Sequence, residues 1–285
     1  TLEWFPCKQD LKDKADSVQV NVTVPDNLMA GSNGILDSVT TAGGFKTFHW
    51  MHRHPIAYYL ISVAVASYQE YTVYANPAGA SQPVMIQNFI YDNPQFLPNF
   101  QNDIDETVDF MELFADLYGP YPFQDEKYGH CVAPLSGGME HQTMTTQGFF
   151  ERSLTAHELA HQWFGNAITE TTWDDAWLSE GFATFFTLLF IEDEYGKDEY
   201  LKGIIKARKS VYDMSVKMPD FSIVSERTAE KEDVTSGITY QKGAWVIHML
   251  RNLMGEKNFK KGIQNYYAKY FNANTTTSEF RAEME

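Results

Sequence analysis

The first third of the chain has the residue pattern of β-strands, including a stretch in which apolar and polar residues alternate with a period of two, as in a strand that buries one face. Residues 18–24 show it most clearly, as Val-Gln-Val-Asn-Val-Thr-Val, before a Pro-Asp-Asn turn. Further predicted strands, rich in β-branched and aromatic residues, are 45–50, 58–65, 71–74 and 84–91. Residues 31–34, Gly-Ser-Asn-Gly, are predicted to form a turn. The pattern predicts an antiparallel sheet or sandwich over residues 1–91.

The period changes after the turn-rich segment at residues 92–98, where we place a domain boundary. From residue 104, apolar residues recur at helical spacing as far as Gly119-Pro120. A small β patch is predicted around residues 128–134 and 143–146, and helical patterns dominate after about residue 150. The predicted fold class is α+β, with a partial N-terminal antiparallel β domain at residues 1–91. A mainly α-helical domain with a small β-sheet follows at residues 92–285.

The composition narrows the possible classes of protein. The formal net charge of the 285 residues is -16, which disfavours nucleic acid as a partner because both would be negative. No apolar run is long enough for a transmembrane segment, and the first residues lack the features of a signal peptide. We therefore expect a soluble protein whose compartment the sequence leaves open. Cys7 and Cys131 are expected to be two buried thiols rather than a disulfide.

The candidate chemistry lies in the stretch His-Glu-Leu-Ala-His at residues 157–161. His157 and His161 are four residues apart, so on a helix both imidazole rings can reach one metal ion, and imidazole suits zinc. Glu180 supplies a third ligand from a second helix, predicted over residues 174–192, which leaves one coordination position for water. Glu158 adjoins the first ligand and is predicted to act as the general base on the zinc-bound water.

These segments resemble the zinc aminopeptidases of the aminopeptidase N family, gluzincin metallopeptidases related to leukotriene hydrolase. The resemblance rests on His-Glu-Leu-Ala-His-Gln-Trp-Phe-Gly-Asn at 157–166 and Trp-Leu-Ser-Glu-Gly-Phe-Ala at 177–183. It also rests on Gly-Gly-Met-Glu-His at 137–141 and Tyr-Gln-Lys-Gly-Ala at 240–244. It implies that the second domain is a thermolysin-like catalytic domain that holds one Zn²⁺ ion.

The same resemblance implies a substrate and a mechanism. The substrates would be peptides with a free N-terminus, whose first peptide bond is hydrolysed by attack of the zinc water with Glu158 as base. Gly137, Gly138, Met139 and Glu140 would bind the substrate, and the Glu140 carboxylate would recognise its α-ammonium group. The hydroxyl of Tyr240 would donate a hydrogen bond to the developing oxyanion.

The chain departs from the family pattern in two respects. His141 stands where the family usually has Asn, which alters a side chain beside the exopeptidase motif. The chain also lacks an upstream part of the β domain and the helices that usually close the catalytic domain. We therefore expect that N- and C-terminal parts of a longer chain are missing.

Two other functions remain open at this point. One is an epoxide hydrolase with peptidase activity, of the leukotriene hydrolase type, because that relative keeps the same glutamate and tyrosine. The other is a non-catalytic scaffold of the same fold, which the complete ligand set disfavours. A second cluster, His49, His52 and His54, is interpreted as structural because its stretch of sequence offers no carboxylate or cysteine ligand.

Overall fold

The computed structural model describes residues 4–220, 222–224 and 237–285. The strands are β1 (Val18–Pro25), β2 (Met29–Ser32), β3 (Ile35–Ala42), β4 (Phe45–His52), β5 (Val63–Ala66), β6 (Tyr68–Ala75), β7 (Val84–Tyr91), β8 (Tyr128–Val132), β9 (Gly138–Met139), β10 (Thr145–Gln147), β11 (Thr169–Glu170) and β12 (Asn274–Thr275). The α-helices are α1 (Phe96–Asp105), α2 (Thr107–Tyr118), α3 (Arg152–Ala160), α4 (Trp177–Tyr195), α5 (Lys197–Lys217), α6 (Gly243–Met254), α7 (Glu256–Tyr270) and α8 (Thr277–Met284). Short 3₁₀ turns cover Tyr58–Leu60 and Trp173–Asp175, and a π-helical turn covers Ile238–Lys242.

The N-terminal region is antiparallel β structure. One three-stranded sheet has the order β1-β4-β3, and β2 pairs with β5 in a separate two-stranded ribbon. Alternation along β4 buries Phe48 and Trp50, and the Trp50 indole donates a hydrogen bond to the Ala30 carbonyl at 3.0 Å. The two pieces of β structure therefore share one small apolar core.

A five-stranded sheet, with the order β6-β7-β8-β10-β9, links the β region to the helices. β6 and β7 are antiparallel, and β7 runs parallel to β8. The predicted boundary after residue 91 therefore falls beside a sheet to which both predicted domains contribute strands. The division into residues 1–91 and 92–285 stays a prediction, whereas the β-then-α order of the predicted fold class is confirmed.

The structure corrects several local predictions. Residues 58–65 are not one strand, because Tyr58–Leu60 is a 3₁₀ turn whose Leu60 carbonyl accepts the Asn33 side-chain amide at 2.9 Å. The turn predicted at residues 31–34 is shorter, since β2 continues to Ser32, and β3 was not predicted. Both cysteines are free, but only Cys131 is buried, and Cys7 is partly exposed.

Helix α4 forms the centre of the helical region. Its four phenylalanines 182, 185, 186 and 190 are all buried, and Phe186 stacks on Tyr118 of α2 with ring centroids 3.7 Å apart. α4 begins at Trp177, three residues later than predicted, because Trp173–Asp175 forms a 3₁₀ turn. In the described ranges, no helix has the combined length and apolarity needed to cross a bilayer.

Candidate metal centre and active site

Helix α3 carries the two histidines predicted as metal ligands. The side chain of Glu151 caps it by accepting a hydrogen bond from the Leu154 amide at 3.1 Å. α3 ends at Ala160, but His161 keeps helical angles, φ −57° and ψ −24°. His157 and His161 therefore remain one turn apart, with ring centroids separated by 4.7 Å.

Glu180, in the first turn of α4, completes the predicted set. Its Oε2 atom lies 3.2 Å from Nε2 of both His157 and His161, and the two Nε2 atoms are 3.1 Å apart. Bonds of about 2.1 Å in a tetrahedral zinc site would separate neighbouring ligand atoms by roughly 3.4 Å. The three ligand atoms thus converge with the spacing of one face of a coordination tetrahedron.

The electrostatics of the three side chains are strongly coupled. Burial lowers the pKa of His157 and outweighs the opposing effect of Glu180. Burial also acts against the charged form of His161, but the Glu180 carboxylate outweighs it and raises the pKa of His161 to about 9. Burial opposes ionisation of Glu180 as well, yet the two imidazoles hold its pKa well below its usual range. The carboxylate of Glu180 is therefore ionised and suited to a cation.

A second layer of contacts orients His161. Its Nδ1 atom lies 3.2 Å from the Phe164 carbonyl oxygen and 3.0 Å from the Ser179 hydroxyl. In the neutral form of the imidazole, as a metal ligand requires, the Nδ1 proton would be donated to that carbonyl and the Nε2 lone pair would face Glu180 and His157. Gly165 has φ +128°, and a Cβ there would lie 2.5 Å from Ser179 Oγ. Gly165 therefore allows the chain to turn tightly behind the ligand.

The predicted base, Glu158, is buried beside the ligands. One of its carboxylate oxygens lies within 4.8 Å of ligand atoms of Glu140 and His161. A Cβ on Gly138 would lie 2.4 Å from Glu158 Oε1, so the carboxylate packs directly on the backbone of β9. Gly138 is therefore needed for close approach here, a requirement that its sequence motif alone did not reveal.

Tyr240 lies in the π-helical turn that precedes α6. Its hydroxyl donates a hydrogen bond to Glu180 Oε1 at 2.8 Å, while Glu180 Oε2 faces the histidines. Burial raises the pKa of Tyr240 far above its usual value, and the nearby Glu180 carboxylate adds to that effect. The phenol therefore keeps its proton and is available as a donor at the edge of the metal site.

The loop that carries Glu140 follows β9, an edge strand of the five-stranded sheet. The Glu140 carbonyl accepts a hydrogen bond from Asn166 Nδ2 at 2.8 Å, which ties the loop to the turn after α3. His141 Nδ1 lies 2.9 Å from the Thr146 hydroxyl of β10. The residue that departs from the family pattern thus fastens the loop to the neighbouring strand.

A cavity of about 970 Å³ contains these groups. It is lined by Gly138, Met139, Glu140, Glu158, both histidine ligands, Glu180 and Tyr240, and it extends between α4 and α5. Gly137 is not among the lining residues, and a Cβ there would contact nothing within 4 Å. The other predicted site residues therefore share one cavity, and Gly137 lies outside it.

Sequence reasoning missed several supporting residues. Asn166 and Ser179 stand inside the quoted motifs, so their position beside the ligands was a usable signal. Gln142, whose side chain contacts His52 of β4, lies outside the quoted motifs and carries no such signal. Each histidine of the second cluster forms a side-chain hydrogen bond: His49 with Asn21, His52 with Glu126, and His54 with Asp125.

Comparison with known proteins gives consistent matches. Residues 139–285 match the peptidase family M1 domain. Aminopeptidase M1-C of Oryza sativa subsp. japonica is 28% identical over 99% of this chain and 33% of its own length. Endoplasmic reticulum aminopeptidase 1 of Rattus norvegicus is 26% identical over 98% of this chain and 31% of its length. The chain therefore spans about a third of the curated relatives that it matches.

Solved structures give the same match. The M1 zinc metallopeptidase from Deinococcus radiodurans superposes with a TM-score of 0.84 at 26% identity, over 99% of this chain and 63% of that one. A mutant of the Deinococcus radiodurans enzyme, bound to a Tyr-Ser-Ala substrate, gives a TM-score of 0.84 at 27% identity. This second match covers 99% of this chain and 63% of that one.

Proposed function

The chain belongs to peptidase family M1, and on that premise we propose that it is part of a zinc-dependent aminopeptidase. The proposed substrates are peptides with a free N-terminus, and the proposed reaction is hydrolysis of their first peptide bond. The observation that carries the proposal is the convergence of His157 Nε2, His161 Nε2 and Glu180 Oε2 to within 3.2 Å of one another.

These three residues fit a single zinc ion. Two imidazole nitrogens and one carboxylate oxygen are a donor set that catalytic zinc sites use, and it leaves a fourth position open. Zinc bound there would polarise the carbonyl of the scissile bond and lower the pKa of a water molecule to about 7. The hydrogen bond of His161 Nδ1 to the Phe164 carbonyl would keep the Nε2 lone pair directed at the ion.

Glu158 is the proposed general base. Its carboxylate lies in the same cavity as the ligands and is fixed against Gly138. It would take the proton from the attacking water and pass it to the leaving amine nitrogen. Because its position is set by backbone contact, small changes at Gly138 would move the base itself.

Glu140 is the proposed recognition group for the substrate ammonium. It is 6% exposed, and one of its carboxylate oxygens lies within 4.8 Å of ligand atoms of Glu158 and His161. A charge-assisted hydrogen bond to the α-ammonium would hold the first residue with its carbonyl toward the metal ligands. The substrate backbone would lie along the edge of β9, as an added strand does. Gly137, predicted as a substrate contact, would act only through the flexibility it gives this edge.

Tyr240 is the proposed donor to the oxyanion. In this structure its proton is directed at Glu180 Oε1. A rotation of the phenol would redirect the same proton to the carbonyl oxygen of a bound substrate, where negative charge develops. Its raised pKa supports this role, because the hydroxyl stays protonated at all working pH values.

The deciding experiment measures metal content and cleavage of leucine p-nitroanilide with and without a chelator. We expect about one zinc per chain, activity that the chelator removes, and recovery when zinc is added back. An N-acetylated anilide should resist cleavage. Absence of zinc together with absence of cleavage would favour the non-catalytic scaffold.

The epoxide hydrolase alternative has less support. The curated relatives described above are named as aminopeptidases, and the structural neighbour as a metallopeptidase. Cleavage of the anilide alone does not separate the two activities, because the alternative is also a peptidase. A parallel assay with an epoxide substrate separates them.

A further inference from the structure

The side chain of Gln142, two residues after Glu140, is buried between the β region and the active-site loop. Its Nε2 atom lies 2.6 Å from His52 Nε2 and 2.9 Å from the Pro55 carbonyl oxygen. Both partners lie on the segment that leaves β4, about ninety residues earlier in the chain. The loop that carries Glu140 is thus joined to a remote strand by one amide group.

The protonation state of His52 allows only one orientation of the Gln142 amide. His52 Nδ1 lies 2.5 Å from Glu126 Oε2, and burial lowers the pKa of His52 more than the Glu126 carboxylate raises it. The imidazole is therefore neutral, donates through Nδ1 to Glu126 and presents a lone pair at Nε2. Rotation of the Gln142 amide would turn its oxygen toward two acceptors, so only the observed orientation satisfies both.

The main chain beside Gln142 is held from both sides as well. The Gln142 carbonyl accepts Asn33 Nδ2 at 2.5 Å, and the Thr143 carbonyl accepts Lys127 Nζ at 2.9 Å. The Thr143 amide donates to Gln162 Oε1 at 2.9 Å, which links the loop to the turn after α3. Thr143 has φ +61°, a left-handed angle that is unfavourable for a β-branched residue and persists only where its surroundings enforce it.

We infer that Gln142 and His52 are positioning residues that fix Glu140 for binding the substrate ammonium, an inference that rests on the proposed function. Neither side chain needs to touch the substrate. The pair sets the course of the backbone two residues after the recognition carboxylate, while Asn166 sets it at Glu140 itself. A shift of a fraction of an ångström would weaken the ammonium contact and leave the metal ligands on α3 and α4 in place.

The test compares two zinc-binding inhibitors that differ only in the α-amino group, leucine hydroxamate and 4-methylpentanoyl hydroxamate. We define the ratio as the inhibition constant of the des-amino compound divided by that of leucine hydroxamate. This ratio measures recognition of the ammonium separately from the metal. In Gln142→Met, which keeps the volume but removes both donors, we expect that ratio to fall about tenfold, a partial loss of a charge-assisted hydrogen bond. Zinc content and the constant for the des-amino compound should stay unchanged.

Two further variants guard against an effect on folding alone. His52→Asn retains an N–H group for Glu126 but removes the acceptor of Gln142, so the ratio should fall in the same direction. His54→Asn is the matched control, because His54 bonds to Asp125 at the same interface without reaching the loop. Its ratio should equal that of the unchanged chain. Loss of folding in both Gln142→Met and His52→Asn, with His54→Asn folded, would overturn the inference.

A double-mutant cycle tests whether the pair acts through Glu140. In a Glu140→Ala background the ratio should no longer respond to Gln142→Met, because the contact being positioned is gone. An equal further fall in that background, or an unchanged ratio in folded Gln142→Met, would contradict the inference and leave the proposed function standing. If the unchanged chain neither prefers the amino compound nor cleaves the anilide, the proposed function itself fails, and the inference with it.

Discussion

The proposed active site has a metal half and an amine half, which are built by different means. The metal half stands on α3 and α4, whose ligands are set by helix geometry and by aromatic packing around α4. The amine half is a loop after the short strand β9, held by hydrogen bonds from remote segments, among them those of Asn33 and His52. Both halves combine buried side chains, His161 and Glu140, with partly exposed ones, so they differ in the source of their order rather than in their exposure to solvent.

The comparison teaches that helix packing fixes the proposed metal ligands locally, whereas the loop of the proposed recognition carboxylate is held by polar contacts across the β region. The position of a packed helix is little altered by the loss of one contact, because many other contacts hold it in place. A loop held by a few buried hydrogen bonds depends on each of them, since an unpaired buried polar group costs about 1–3 kcal/mol. Damage to one half should therefore leave the other measurably intact.

The largest effect is expected at Glu158, which lies between the two halves. In Glu158→Gln we expect turnover of leucine p-nitroanilide to fall by about 10³-fold, because the amide cannot accept the proton of the attacking water. Zinc content and hydroxamate binding should persist, since neither depends on the base. Steady-state kinetics with metal analysis would check this, and substantial remaining turnover in the pure variant would remove Glu158 from its proposed role.

Removal of Glu140 should damage only the amine half. In Glu140→Ala we expect kcat/KM to fall by about 10- to 100-fold, the contribution of one charge-assisted hydrogen bond. The zinc content should match that of the unchanged chain. A variant that loses zinc as well as amine recognition would show that the two halves are not separable.

Removal of the Ser179 hydroxyl should damage only the metal half. Ser179 Oγ lies 3.0 Å from His161 Nδ1, so Ser179→Ala removes a contact that orients a ligand. We expect zinc affinity to fall by about tenfold, as for other outer contacts of metal ligands. Titration with a competing chelator would measure it, and the ratio of the two hydroxamate constants should stay constant.

The close approach of α4 and α6 in the metal half should make the free energy of unfolding sensitive to one added methyl group. A Cβ on Gly181 would lie 2.7 Å from the Gly243 Cα atom, so Gly181→Ala should lower the free energy of unfolding by about 1–3 kcal/mol. Gly203→Ala is the control, because its Cβ would meet only the flexible end of Leu188. Denaturant titration of both variants would decide, and equal stabilities would contradict the backbone-contact argument.

The last effect concerns the pH dependence of the amine half. Burial lowers the pKa of Lys127 to about 7 from the ordinary value of 10.5. Between these values the unfolded chain binds more protons than the folded chain, so the free energy of unfolding should rise with pH across that window. Lys127→Met should flatten the rise, whereas the exposed Lys12→Met should not. Denaturant titrations between pH 7 and pH 10 would test it.

The family and the order of the elements could be predicted from sequence, and the match over residues 139–285 confirms the family. The pair His157 and His161 was accessible because a spacing of four residues on a helix is a local relation, whereas Glu180 was reached through the separate motif at residues 177–183. The strand of residues 18–24 was accessible because period-two alternation is local, and that of residues 84–91 because its content of β-branched and aromatic residues is local too. The roles assigned to the site residues stay predictions until they are measured.

What the sequence did not reveal depends on long-range contacts. The 3₁₀ turn at Tyr58–Leu60 has the aromatic composition of a strand, yet its Leu60 carbonyl bonds Asn33 from a distant turn. Gln142 lies just outside the motif at residues 137–141, and its inferred role becomes visible only when His52 lies beside it. Likewise, the partners of His52 and His54 are carboxylates more than seventy residues away.

The edge strand β9 has a consequence for solubility. An unpaired strand edge offers hydrogen-bonding groups to any extended chain, including another copy of the same protein. β9 is only two residues long, and a glycine precedes it, so it presents too few groups to join large sheets. The same shortness suits a short peptide that pairs briefly and then leaves. The shortness of β9 thus limits how far this edge could pair with another copy of the chain.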